Sequence, residues 1–190
     1  EELLSQPDFE PSDLEPTIVD GKPAGVAKGK ILFKIGQDML TEEELSPELL
    51  AIKWINNLRL ALNARPLELV EAQEKMHDLV PTSNSIQGLA SWYGPYFHGR
   101  LTANGESYNQ LAMTAAHPSL PFNTYLRVTN LDNDDSVIVR INDRGPYIPP
   151  RSLDLSLGAA RCLNSEHSGV IPYKAEILES ASDPKGEEDI

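Results

Sequence analysis

The chain is short of cysteine, of aromatic residues, of basic charge and of long apolar runs. Cys162 is the one cysteine in 190 residues, so no disulfide can form within the chain. Many exported bacterial domains also lack disulfides, so a reducing compartment does not follow. No apolar run approaches the ~20 residues of a spanning helix, and no charged-then-apolar leader opens the sequence. The chain starts Glu1-Glu2-Leu3, so a mature or trimmed product is expected, its targeting signal unseen. Lys and Arg number 16 against 29 Asp and Glu, a net charge of −13. The imbalance is uneven: 16 acids and 8 bases in residues 1–84, 8 and 7 in 85–178, 5 and 1 in 179–190. No basic stripe is present for nucleic acid, and an anionic membrane surface would attract nothing here. Trp, Tyr and Phe total only twelve, yet four of them fall between Trp92 and Phe97.

What is present divides into two textures. Residues 1–29 carry four prolines, three glycines and several acids with little periodicity, which predicts an extended or disordered arm. Lys30 to Ile35 alternates as a short strand does. Thr41 and Glu44 have capping-box spacing. Ser46-Pro47 offers a second N-cap, with proline at the first helical position. Leu49, Ile52, Ile55, Leu58, Leu60 and Leu62 then roughly follow helical spacing. Asn63 and Pro66 end that helix, and Pro66 to Val70 is expected to be another strand. Residues 30–72 are thus a small α+β unit. Residues 73–86, with Pro81-Thr82-Ser83-Asn84-Ser85, are a linker by composition.

Residues 87–178 alternate short strand-like runs with Gly, Pro and Asn. Strands are predicted at Gly88–Tyr93, Leu111–Ala115, Tyr125–Asn130, Ser136–Asn142, Ser152–Leu155 and Val170–Leu178. Asp132 to Asp135 makes a turn, and Leu157–Leu163 a short alanine-rich helix. Six short strands in about 90 residues favour a closed barrel, since closure removes exposed edges. Residues 179–190 are an acidic tail.

Three segments of this half use residues that make poor filler. Asp143 follows the alternation Val137, Val139, Ile141 and enters a Gly-Pro turn. There it is either a turn cap or a general acid, a role that requires burial or a neighbouring carboxylate. Glu106, in Asn104-Gly105-Glu106, is a solvated loop acid or a second polar group of a cleft. His117, before Pro118, satisfies a strand end, or else bonds a catalytic carboxylate or a sugar hydroxyl. Trp92, Tyr93, Tyr96 and Phe97 supply aromatic faces of the kind that bind sugars, although Trp92 on an alternating strand serves equally as core. Arg144 is expected to turn away from Asp143, towards backbone carbonyls or Asp154, and Asp154 itself is read as structural. His77, His98, His117 and His167 lack metal-ligand spacing, so no metal site and no cofactor are expected. Asp132 to Asp135 lacks the glycine and distal glutamate of a calcium loop, and no phosphate-binding or nucleophile-elbow pattern occurs. Cys162, with no base nearby, reads as a small buried residue.

Together the segments resemble the rare lipoprotein A family of bacterial cell-wall proteins. The match runs through Gly88-Leu89-Ala90-Ser91-Trp92-Tyr93-Gly94, Phe97-His98-Gly99-Arg100 and Thr102-Ala103-Asn104-Gly105-Glu106. It continues through Thr114-Ala115-Ala116-His117, Leu120-Pro121, Val128-Thr129-Asn130, Val139 to Pro146 and Asp154-Leu155-Ser156. The resemblance implies a mainly β fold, a six-stranded double-psi β-barrel of the kind shared with expansins. It implies a lytic transglycosylase that cleaves peptidoglycan glycan strands and leaves 1,6-anhydro ends, with Glu106, His117 and Asp143 at the active site. Trp92, Tyr93, Tyr96, Phe97, His98, Asn104 and Arg144 would bind substrate. An expansin-like module that binds glycan without cutting it is the alternative, and a hydrolase with Glu106 as base is a third. A monomer in the cell envelope is expected, with residues 30–72 free to meet cell-wall or division proteins. The family's C-terminal repeat domain and lipid-attachment cysteine have no counterpart in this sequence, and residues 1–86 would suit a cyanobacterial member.

Overall fold

The computed structural model describes residues 8–36, 39–40 and 46–182. The Thr41–Glu44 pattern, residues 1–7 and most of the acidic tail lie outside them. The chain divides into two compact units, Glu1–Asp78 and Leu79–Ile190.

In the first unit, strands β1 (Leu14–Val19), β2 (Lys22–Ala27) and β3 (Lys30–Lys34) make an antiparallel sheet in that order. The two tight turns are Asp20-Gly21 and Lys28-Gly29, with φ of 51° and 72°, then 48° and 74°. Positive φ at both central residues is the hairpin geometry whose twist matches that of the strands. These strands replace the arm expected over the described part of residues 1–29. The prolines and acids had masked an alternation that Asp20-Gly21 punctuates. Helix α1 (Pro47–Ala61) starts as expected, with Ser46 Oγ accepting from Leu49 N at 3.2 Å. Its buried face is Leu50, Ala51, Ile52, Ile55 and Arg59, while Leu58 and Leu60 are exposed. The expected stripe was therefore rotated. Buried Arg59 is satisfied by the carbonyls of Ser12, Leu14 and Arg65 at 2.8–3.1 Å. The strand expected at Pro66–Val70 is instead the entry to helix α2 (Leu69–His77). A five-residue apolar alternation cannot tell strand from helix, and buried Ala72 and Met76 continue the helical period into the core.

Among the described residues the second unit holds six strands: β4 (Leu79–Trp92), β5 (Thr114–Ala116), β6 (Tyr125–Asn130), β7 (Ser136–Asp143), β8 (Arg151–Leu155) and β9 (Val170–Ser180). They close into a barrel in the order β4-β8-β5-β7-β6-β9. Two of the pairings, β4 with β8 and β5 with β7, are parallel, and the rest are antiparallel. This is the double-psi barrel. Alternate residues fill its interior: Leu126 and Val128, Val137, Val139 and Ile141, Leu153 and Leu155, Ile171, Tyr173 and Ala175 are all buried. Each such aliphatic side chain contributes about 1.5–3 kcal/mol of burial. Short helix α3 (Leu157–Cys162) is capped by Ser156, whose Oγ accepts from Ala159 N at 3.1 Å.

Two boundaries differ from expectation. The stretch read as a linker, 73–86, is the end of α2 and the first half of β4. Leu79 pairs with Ser180 and Ile86 with Ala175, across an irregularity between Pro81 and Ser85. Thr82 Oγ donates to Ile177 O at 2.9 Å within it. The polar residues that suggested a linker face solvent on this two-stranded extension. Strand β5 starts at Thr114 rather than Leu111.

The register places the chemistry. Ala116 pairs with Asp143 on one side and Asp154 on the other, and Asp154 pairs with Ser91. One row across four strands thus carries both Asp143 and Asp154.

Candidate active site

Asp143 is the last residue of β7, beyond an irregularity that pairs Ala115 with Ile141 but Ala116 with Asp143. Asn142 is the extra residue. The chain then turns through Gly145, whose φ of 124° disfavours any side chain. The Asp143 carboxylate is held by three donors. Oδ1 accepts from Ala103 N and Arg144 N, both at 2.8 Å, and Oδ2 accepts from Tyr93 Oη at 3.0 Å. Burial, reinforced by the Asp143 charge, pushes the Tyr93 phenol far up, so it stays a protonated donor. Its ring packs against Tyr108 at 4.8 Å and meets Phe97 edge-on at 5.9 Å.

Glu106 is engaged differently. Arg140 grips it with two bonds of 2.9 and 2.7 Å, and Asn142 Nδ2 adds one at 3.0 Å. The guanidinium, helped by Asn142 and Asn104 and only partly opposed by desolvation, lowers the Glu106 pKa to about 2. Arg140 and Asn142 alternate with Ile141 along β7, so the strand presents both on one face. The same loop is tied down by Asn104 N to Asn142 O (3.3 Å) and Thr102 N to Glu106 O (2.8 Å). One end of the loop therefore supplies the Ala103 N–H to Asp143, and the other end is anchored by Glu106. An ionised, forked carboxylate with a pKa near 2 is a poor general base.

His117 follows β5, its N–H donating to Asp143 O at 3.2 Å. Its Nδ1 accepts from Ser119 N and Leu120 N at 3.2 and 3.0 Å. The ring proton is thus assigned to Nε2. Burial first, then the Arg144 charge, lowers the His117 pKa, so the ring is a neutral Nε2–H donor at pH 7.

Residues 85–175 match the family described as lytic transglycolase. A probable endolytic peptidoglycan transglycosylase RlpA of Synechocystis sp. is 45% identical over 161 residues, covering 80% of this chain and 50% of that protein. The chain is a member of the rare lipoprotein A family. The endolytic peptidoglycan transglycosylase RlpA of Campylobacter jejuni is 50% identical over 108 residues, 57% of this chain and 39% of that protein. The chain thus spans half or less of the length of these relatives. The Synechocystis alignment is too long for the barrel unit alone, so it extends into the first unit. Among solved structures the chain is similar to Streptomyces papain inhibitor (19% identity, 52% of this chain, 97% of that one, TM-score 0.42).

The remaining family-motif residues fall into two groups. Some are occupied within the fold. Trp92 is partly buried, its indole N–H donating to Glu166 O at 3.2 Å. Asn104 Oδ1 accepts from Thr102 Oγ at 2.6 Å and Glu106 N at 3.2 Å, shaping its own turn. Arg144 turns away from Asp143, as expected: its guanidinium donates to His117 O and Leu120 O and lies 3.8 Å over the Phe122 ring. Asp154 bonds Ser91 Oγ and lies 3.5 Å from Arg151, a brace between β4 and β8. Others are open. Tyr96 is 82% exposed and Phe97 42%, with Arg100 5.4 Å from the Phe97 ring centroid, and His98 is exposed.

Sequence reasoning missed Arg140, Asn142, Tyr108, Tyr147 and Ile148. The first two were legible as alternate positions on the strand that ends at Asp143. Tyr147 and Ile148 are 75% and 65% exposed, between Pro146 and Pro149 in the loop after Asp143. Among the described residues no cluster of His, Cys, Asp and Glu is placed to hold a metal ion.

Proposed function

We propose that the barrel is a peptidoglycan lytic transglycosylase, with Asp143 as its acid and then its base. The observation that carries this reading is the Asp143 carboxylate itself. It ends a core strand, is oriented by three donors, and adjoins loops bearing open aromatic residues. The names of the relatives supply the substrate.

Asp143 gives its proton to the oxygen between N-acetylmuramic acid and N-acetylglucosamine, and the C1–O bond breaks. The muramoyl 6-hydroxyl then attacks C1, its proton passing to the Asp143 carboxylate, and a 1,6-anhydro ring closes. An intramolecular nucleophile has a high effective concentration, so no second carboxylate nucleophile is needed, unlike the two-carboxylate glycosidases. The neutral His117 Nε2–H donates to a sugar oxygen. Glu106 acts as the ionised anchor of the loop that brings Ala103 to Asp143, not as a base. Tyr96, Phe97, His98, Tyr147 and Ile148 receive the strand on either side. The place of action is the envelope, where peptidoglycan lies.

The test is digestion of peptidoglycan and of peptide-free glycan strands, with mass analysis of the products. Anhydro ends are expected, and Asp143→Asn should abolish turnover while glycan still binds. Reducing ends would mean hydrolysis. Binding without products would mean an expansin-like module.

A further inference from the structure

The two oxygens of Asp143 are not equivalent. Oδ1 faces two backbone N–H groups, Ala103 and Arg144, each at 2.8 Å. Backbone N–H groups only donate and cannot turn away, so they accept no proton at that oxygen. Oδ2 faces one partner, the Tyr93 hydroxyl, at 3.0 Å. A hydroxyl both donates and accepts, and it rotates. It therefore suits an oxygen that gains and loses a proton.

We infer that Oδ2 is the proton-carrying oxygen of Asp143, and that Tyr93 is the positioning residue that aims it. This rests on the proposed role of Asp143 as acid, and it moves Tyr93 from the substrate-binding group to the acid's own support. The ring is fixed for the task. It is packed on Tyr108 and Phe97, and Tyr93 N donates to Leu155 O at 3.1 Å. Tyr93 cannot itself be the acid, because burial holds its phenol protonated.

Among the described residues, Tyr93 is the titratable side chain hydrogen-bonded to Asp143. Tyr108, beneath Tyr93, is raised by burial to about 12 and stays neutral. Asp154, one strand beyond Ala116, is engaged by Ser91 and Arg151. The Arg144 guanidinium is engaged by two carbonyls, Arg140 and Glu106 are engaged with each other, and His117 is neutral.

The sign follows from the donor. Tyr93 stabilises the charged carboxylate, so removing its hydroxyl favours the protonated acid. Tyr93→Phe keeps the ring and its packing. In that variant the alkaline limb of the pH–rate profile should move to higher pH, kcat at the optimum should fall roughly 10-fold to 100-fold from lost aim, and KM should stay unchanged. 3-Fluorotyrosine at position 93, a more acidic donor of nearly the same shape, should move the same limb to lower pH. That second variant keeps the test sharp if the phenylalanine variant folds poorly. Opposite shifts support the inference. An alkaline limb that stays put in both, or a rise in KM with kcat unchanged, overturns it. A wild-type protein that yields no anhydro products instead overturns the proposed reaction. A lost Asp143→Asn activity beside an unchanged Tyr93→Phe profile overturns the Tyr93 role alone.

Discussion

Replacing Glu106 by glutamine tests whether that residue is an anchor. The side chain keeps its shape but loses its charge. The amide oxygen can still accept from one Arg140 N–H and from Asn142 Nδ2, while the amide nitrogen then faces the other guanidinium N–H, donor against donor. The drop from 4.5 to about 2 would be worth about 3 kcal/mol in a buried group. Glu106 is 43% exposed and Arg140 25%, so screening reduces this to about 1 kcal/mol. In a barrel of this size that is about 4 °C in Tm. The folded-state pKa is depressed, so the contribution is present above the unfolded value and is lost as pH falls towards 2. Thermal melts followed by circular dichroism should therefore show a gap between wild type and Glu106→Gln at pH 7 that narrows below pH 4.5 and closes near pH 2. A gap that is absent at pH 7, or one that persists undiminished at pH 2, would refute the anchoring argument.

Other outcomes follow from the packing. A Cβ at Gly158 would lie 2.5 Å from Leu111 O and 2.9 Å from its carbonyl carbon. Backbone atoms give way poorly, so Gly158→Ala should cost about 2 kcal/mol, read as a lower urea midpoint at unchanged m-value. An unchanged midpoint would count against this packing. Burial pushes the Cys162 thiol up to about 11 from 9.0. Its labelling by a thiol reagent at pH 8 should be about 100-fold slower in the folded protein than in urea, and equal rates would place the thiol in solvent.

The barrel was legible in the sequence because its strands are short, alternate cleanly and are bounded by Gly, Asn and Pro. All six runs contain a strand, though the first begins nine residues earlier than the alternation put it and the second three residues later. The first unit was less legible. Its first hairpin turns at Asp20-Gly21, inside a segment whose composition argued for an arm, and its second helix began as a five-residue alternation. At the site, the motif residues were visible as unusual choices, but their tasks were not. Arg144 was expected to turn from Asp143 towards backbone carbonyls, and only the fold shows which ones, those of His117 and Leu120. Tyr93 was visible as an aromatic face, but not that its hydroxyl bonds Asp143.

By itself the sequence determined which runs of the barrel are strands, its closed β architecture and the position of Asp143 at a strand end. These are local consequences of period-two patterning and of residues that stop strands. Only the tertiary structure decided which donors meet each oxygen of that carboxylate. Arg144 adjoins Asp143 in the chain, but Ala103 and Tyr93 reach it from 40 and 50 positions away. Hydrogen bonds between residues up to 50 positions apart leave no mark on local periodicity, whereas their geometry decides whether Asp143 is a turn cap or an aimed acid.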